Sequence, residues 1–231
     1  MKITYIAHSG FLVELVETAF LFDYYEGTIP EIGKEKALFI FSSHRHPDHF
    51  NPEIFKLAEG RKNVTYVLSY DIWKSRVPEE LQGQTVHLKP HKKWEQGGVK
   101  VETLKSTDEG VAFLVEAEGK VIYHAGDLND WRWDGEAEEW NRKMAEHYRQ
   151  FIEPLRGRKI AAAFLPLDPR QEKNYALGMD YFLELADAEK IYPMHCWEDY
   201  GVIDRWLREH PDSPCRKRIV KITARGQAFE Q

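Results

Sequence analysis

The sequence predicts an α/β fold in which two facing β-sheets carry helices on their outer faces. Three observations lead there. Short apolar runs of strand length recur along the chain, residues 37–41, 52–59 and 64–68 read as strand, helix and strand, and a second group of strands is followed by further helices. Apolar strands of this kind need cover on both sides, which facing sheets with outer helices supply. No repeat, low-complexity tract or linker rich in Pro and Ser divides the chain, so residues 1–231 are expected to form one domain.

Residues 2–6, 11–16 and 19–23 are strand-like runs separated by His8-Ser9-Gly10 and by a turn near Glu17-Thr18, the pattern of a meander. Ala37-Leu38-Phe39-Ile40-Phe41 has the continuous apolar character of a buried strand. Asn51 is a helix cap with Pro52 in the first turn, which predicts a helix over 52–59, and residues 64–68 return as a strand. Residues 86–88 and 99–104 are strands flanking a loop with Gly97-Gly98, and residues 111–115 and 121–123 form a hairpin through Glu118-Gly119. A charged helix over 136–153, a strand over 160–165, a helix over 175–188, a strand over 191–194 and a helix over 202–209 complete the chain.

Composition is that of a globular protein, 42% hydrophobic and 30% charged. A net charge of −6, with no concentrated basic run, speaks against a protein that grips nucleic acid through its phosphates. No signal-like apolar core opens the sequence and no 18-residue apolar stretch occurs, so a soluble cytoplasmic protein without membrane partners is expected. The two cysteines, Cys196 and Cys215, are too few for a disulfide framework, and Cys196 reads as a small buried hydrophobe.

The chemistry concentrates in His44-Arg45-His46-Pro47-Asp48-His49, where four of six side chains are good ligands for a divalent cation. This run leaves the C-terminal end of a buried strand, the edge at which open α/β sheets hold their ligands. In extended chain, His44, His46 and Asp48 point the same way. Two more sites repeat the form: Asp127 follows residues 121–123 and Gly126, and His195 follows residues 191–194.

Taken with Asp23 at the end of an early strand, this order resembles the metallo-β-lactamase-fold hydrolase superfamily, which is read through an aspartate closing an early strand, a His-x-His-x-Asp-His loop, a single histidine, an aspartate after glycine and a final histidine after a strand. Residues 6–14 also look like the ascorbate-6-phosphate lactonase-like branch. The resemblance implies a four-layer αββα sandwich of two mixed sheets. It further implies a two-metal centre, with His44 and His46 in one site, Asp48, His49 and His195 in the other, and Asp127 bridging. Asp23 would support the loop from behind the ligands. Zn2+ is the expected ion, one or two per chain, with Mn2+ or Fe as alternatives. A hydroxide held by the metals would attack a carbonyl or phosphoryl centre, Asp48 orienting the water or taking up a proton. The substrate is expected to be a small molecule, with lactones or phosphorylated sugars first.

One departure stands out. The family's single histidine should fall in Ser106-Thr107-Asp108-Glu109-Gly110, which has none. Asp108 could substitute, since a carboxylate oxygen is also a zinc ligand, and His8, His87, His91 and His124 are further candidates. The gap keeps open a non-catalytic metal-binding or sensor protein, beside a phosphodiesterase or nuclease of the same fold and a redox di-iron site. Trp131, Trp133, Trp140, Tyr148 and Trp197 follow two of the ligand strands. They either wall a pocket for a ring-shaped substrate or, the commoner use of such residues, pack a core. Arg132 and Arg170 either meet an anionic group or are solvated charges.

Overall fold

A computed structural model describes residues 1–231, the side chain of Ala58 apart. Thirteen strands form two mixed sheets of seven and six. In the first, β1 (Lys2–Ala7), β2 (Gly10–Glu14) and β3 (Thr18–Phe22) make the expected antiparallel meander, and β4 (Ala37–Ser42), β5 (Val64–Ser69) and β6 (Thr85–Leu88) extend it in parallel. In the second, β7 (Lys93–Gln96), β8 (Val99–Lys105), β9 (Val111–Ala117) and β10 (Lys120–His124) run antiparallel, and β11 (Lys159–Pro166) and β12 (Asp187–Met194) continue in parallel. Helices α1 (Glu138–Ile152), α2 (Leu177–Leu185) and α3 (Gly201–Glu209) belong to the chain's second half, and β13 (Ala228–Glu230) closes the free edge of β1.

Strand alternation builds the layers. Phe20 and Phe22 of β3 and Phe39 and Phe41 of β4 point into one core, while Leu21, Leu38 and Ile40 point into another. The first core lies between the sheets: Phe41 meets Phe113 of β9 at 5.1 Å between ring centroids, and Phe11 meets Phe164 of β11 at 4.4 Å. Tyr148 and Ile152 of α1, Phe182 of α2 and Trp206 of α3 join the same cluster. Each such side chain contributes about 1.5–3 kcal/mol by leaving water. The second core covers the other face of the first sheet with Phe50, Ile54 and Phe55.

The structure departs from expectation in four elements. Residues 52–58 form a 3-10 helix rather than an α-helix, with Asn51 capping the backbone N–H of Glu53 as expected. The helix expected over 175–188 is shorter, because β12 already begins at Asp187. Strands β7 and β13 were not legible: β7 is an exposed edge strand with only Trp94 half-buried, and β13 has three residues, so neither carries an apolar pattern.

The topology fixes where function can sit. Strands β1, β3 and β4 run one way in the first sheet, as do β8, β10, β11 and β12 in the second. The loops leaving their C-terminal ends meet at one edge of the sandwich. No described helix is long and apolar enough to cross a membrane.

Candidate metal centre

The histidine loop is seated on close backbone contacts. The Ser43 carbonyl accepts from the Val111 N–H at 2.9 Å, which ties the end of β4 to the start of β9. Gly110 and Gly126, both at positive φ, make room for this approach: a Cβ on Gly110 would overlap the Ser43 carbonyl, and one on Gly126 would lie 2.6 Å from Ser43 Cβ. His49 is fully buried ahead of the 3-10 helix, and His44 is fully buried behind His46.

Two groups of ligand-type side chains result, each with its donor atoms within 4.8 Å of one another. His44, His46, Asp108 and Asp127 form one; His8, Asp48, His49 and His195 form the other. In the first, His44 Nε2 is 3.0 Å from His46 Nδ1, His46 Nδ1 is 3.4 Å from Asp108 Oδ2, and His44 Nε2 is 3.7 Å from Asp127 Oδ2. In the second, Asp48 Oδ2 lies 3.3 Å from His8 Nε2 and 3.9 Å from His49 Nε2. Asp127 reaches both groups, since its other oxygen, Oδ1, is 3.2 Å from His49 Nε2 and 3.5 Å from His195 Nε2.

The donors suit a divalent cation. Nε2 of His8, Nε2 of His49 and Oδ1 of Asp127 are buried with no hydrogen-bond partner among the described residues. Buried polar atoms are seldom left so, and imidazole and carboxylate lone pairs aimed into one space are the donor set of an open transition-metal site.

Behind the ligands stands an orienting layer. Asp23 is fully buried and accepts three hydrogen bonds: from the Ser43 N–H at 2.7 Å, the Ser43 hydroxyl at 2.6 Å and His49 Nδ1 at 2.7 Å. Asp168 does the same for His195, accepting from Nδ1 at 2.9 Å while Arg170 holds both its oxygens. A proton held on each Nδ1 leaves Nε2 free to face the centre.

The electrostatics follow. Burial alone would raise the Asp23 carboxyl, but the nearby His124 and the His49 hydrogen bond bring it down to about 2. Burial likewise opposes charge on His49, yet Asp127 and the Asp23 hydrogen bond lift it to about 9. The carboxylates around His49 thus draw positive charge into the centre. Burial and the charge of His49 push His44 down to about 4, which keeps its ring neutral. Asp48 would be raised by burial, but the His8 ring 3.3 Å away and the charge of His49 hold it well below the usual carboxylate range.

A cavity of about 450 Å³ opens over both groups. His46, Asp48, Asp108, Asp127 and His195 line it together with Trp131, Trp133, Trp140 and Trp197, and the rings of Trp131 and Trp197 lie 5.2 and 5.8 Å from that of His195 between centroids.

All six expected ligands, His44, His46, Asp48, His49, Asp127 and His195, therefore converge, with Asp23 behind them and both His8 and Asp108 alongside. Asp108, from the segment that lacks the expected histidine, stands in the first group with His44, His46 and Asp127. Three of the further histidines stay outside. His124 is buried behind the centre, where it donates to the Ser9 carbonyl at 2.9 Å and accepts from the Gly126 N–H, while His87 and His91 are not among either group. Core packing holds for Tyr148 alone of the aromatic set: it donates to the Gly178 carbonyl in the interior, whereas the four tryptophans line the cavity. Arg132 pairs with Asp130 away from that cavity, and Cys196 is buried as expected. Asp168 went unread, although it follows β11 in the same way that Asp127 follows β10 and His195 follows β12; the signal was present.

The family described as "Beta-lactamase superfamily domain" matches residues 2–141, more than half of the chain. The chain belongs to the beta-lactamase superfamily. This superfamily member is 30% identical over 142 residues to a UPF0173 metal-dependent hydrolase of Alkaliphilus metalliredigens, an alignment covering 55% of this chain and 63% of that protein. A second UPF0173 metal-dependent hydrolase, of Pelotomaculum thermopropionicum, is 26% identical across the full length of both. Among solved structures, Igni18, a metallo hydrolase of Ignicoccus hospitalis, matches with a TM-score of 0.62 at 18% identity, covering 100% of this chain and 98% of that one. CmlA, a diiron β-hydroxylase of Streptomyces venezuelae, also gives 0.62, at 11% identity over 100% of this chain and 54% of that one. These structural likenesses concern the fold.

Proposed function

We propose that the protein is a metal-dependent hydrolase of a small-molecule ester, lactone or phosphoester, with a two-ion centre held by His44, His46, Asp108 and Asp127 on one side and by His8, Asp48, His49 and His195 on the other. The observation that carries this reading is the position of Asp127, one oxygen toward each ligand group, at the floor of a single cavity. Family membership and the names of the UPF0173 relatives support it. Zn2+ is the first expectation for the ion, with Mn2+ or Fe next.

Bound ions of this kind supply water acidified from 15.7 to about 7 and a Lewis acid for the substrate oxygen. The chain's own residues do the rest. Asp127 sets the spacing of the two groups, and Asp23 and Asp168 fix the rings of His49 and His195. Asp48 faces the cavity as an ionised carboxylate, so its part is to accept and orient a hydrogen bond; held so low, it is a poor store for a proton.

A non-catalytic sensor drew its support from the gap at residues 106–110, and Asp108 counts against that gap. The same substitution favours one second reading, a di-iron redox centre, because it makes the first group richer in carboxylate. The test is metal analysis of purified protein, followed by assay of the loaded protein and its Asp127→Ala variant on lactones, carboxylic esters and phosphodiesters. Turnover by the parent alone is expected. Iron with visible absorbance and no hydrolysis would move the assignment to the redox centre, and absence of bound metal would remove both.

A further inference from the structure

Beside the ligands the cavity is walled by four indoles, Trp131, Trp133, Trp140 and Trp197, with Met144 and Arg170. Trp131 and Trp133 are parallel to within 5°, and Trp131 Nε1 donates to the Asp127 carbonyl at 2.8 Å, so this pair is fixed relative to the bridging carboxylate. Trp140 and Trp197 remain 39% and 43% exposed. Indoles left open on the wall of a concave site are apolar area waiting to be covered.

Two donors on this wall are already committed, while the indole N–H groups of Trp133, Trp140 and Trp197 have no hydrogen-bond partner among the described residues. The Thr107 hydroxyl is committed to the Asn129 carbonyl at 2.6 Å, and the Trp131 N–H is committed to Asp127. Arg170 is the cation on this wall. Its guanidinium lies 4.5 Å from the centroid of Trp197 and 6.0 Å from that of Trp133. Nε and Nη2 are bound to Asp168, whereas Nη1 has no hydrogen-bond partner among the described residues. The place where a cationic ligand would sit between indoles is thus taken by the chain's own cation, and that cation offers a free donor edge to an anion.

We propose, on the hydrolase reading above, that the substrate is an aromatic ester or lactone carrying a carboxylate, its ring against the tryptophan wall and its carboxylate on Arg170 Nη1. The reaction is acyl–oxygen cleavage: the water oxygen bonds to the carbonyl carbon, the bond to the alcohol oxygen breaks, and one water proton ends on that leaving oxygen.

The test has a binding arm and a turnover arm. In the first, 2-naphthoate is titrated into the metal-loaded protein while tryptophan emission is followed. Quenching that saturates is expected, and Trp197→Leu or Arg170→Gln should weaken it about tenfold, as the loss of one aromatic or one charged contact implies. In the second, 4-carboxyphenyl acetate, phenyl acetate and ethyl acetate are compared by kcat/KM. The order should be as written after each value is divided by that ester's rate with hydroxide, which removes the leaving-group acidity. Trp197→Leu should shrink the aryl-over-alkyl ratio and Arg170→Gln the carboxylate-over-neutral ratio, with metal content measured in each to register any effect passed through Asp168 to His195. Saturable 2-naphthoate binding without turnover of any ester would keep the aromatic and carboxylate contacts assigned to Trp197 and Arg170 but overturn the ester cleavage and the hydrolase. Equal turnover of all three esters with no quenching would overturn this assignment and keep the hydrolase.

Discussion

Replacing Asp23 with asparagine keeps the shape of the side chain and removes its charge. The parent carboxylate receives three donors at 2.6–2.7 Å in a fully buried site. An amide has one acceptor oxygen and an NH2. If the oxygen takes the position facing the Ser43 N–H, the NH2 faces His49 Nδ1, and that ring can adapt only by moving its proton to Nε2, the atom that faces the centre. If the amide turns over, His49 is satisfied but two donors, the NH2 and the Ser43 N–H, confront each other across 2.7 Å. Either way a buried donor goes unpaired or a ligand atom is blocked. An unpaired buried group costs about 1–3 kcal/mol, and loss of an orienting partner lowers metal affinity about 10–100-fold. We therefore expect the metal-free variant to lose about 2 kcal/mol in denaturant unfolding. Competition with a chromophoric chelator should show weaker binding by the same 10–100-fold. Wild-type affinity together with an unchanged unfolding midpoint would show that Asp23 does not orient His49, and the account of the centre would fail at its base.

Asp108→Ala should reduce retained metal toward one ion per chain, whereas Asp108→His, which restores a third imidazole to the first group, should raise zinc retention; elemental analysis after dialysis distinguishes them. Gly110→Ala should lose more than about 2 kcal/mol by thermal unfolding, since φ is positive and the new Cβ would overlap the Ser43 carbonyl. Removing bound metal should lower the melting temperature, by an amount equivalent to about 2.7 kcal/mol if free metal had stood at a hundred times its Kd; a transition indifferent to chelator would contradict a site in the folded state. As a control, Trp73→Ala, at a position 65% exposed and outside the cavity, should stay within about 0.5 kcal/mol of the parent.

Much of this arrangement could be read from residues alone, because ligand positions are marked twice, by chemistry and by place. His44–His49, Asp127 and His195 each follow a run apolar enough to be a buried strand, and such runs are the most legible local signal. Asp108 and His8 were harder. Neither is distinguished by its neighbours, and only the meeting of β1 and β8 with the other ligand strands gives them a common target. The tryptophans could be read either way for a related reason: spacing says which residues share a face, but not whether that face looks inward or into a cavity. Strand β7 escaped because its pairing with β8 rests on backbone hydrogen bonds, which leave no mark on an exposed edge sequence.

Both ligand groups draw side chains from each half of the sandwich: His44 and His46 from the first sheet meet Asp108 and Asp127 from the second, and His8, Asp48 and His49 meet His195. A cation in either group would rivet the two layers together at their rim. Remoteness from the rim then gives a residue no immunity. Phe41 and Phe113, whose rings touch across the gap, help set how far apart the layers stand, so trimming either should loosen the grip on a bound ion as well as weaken the fold.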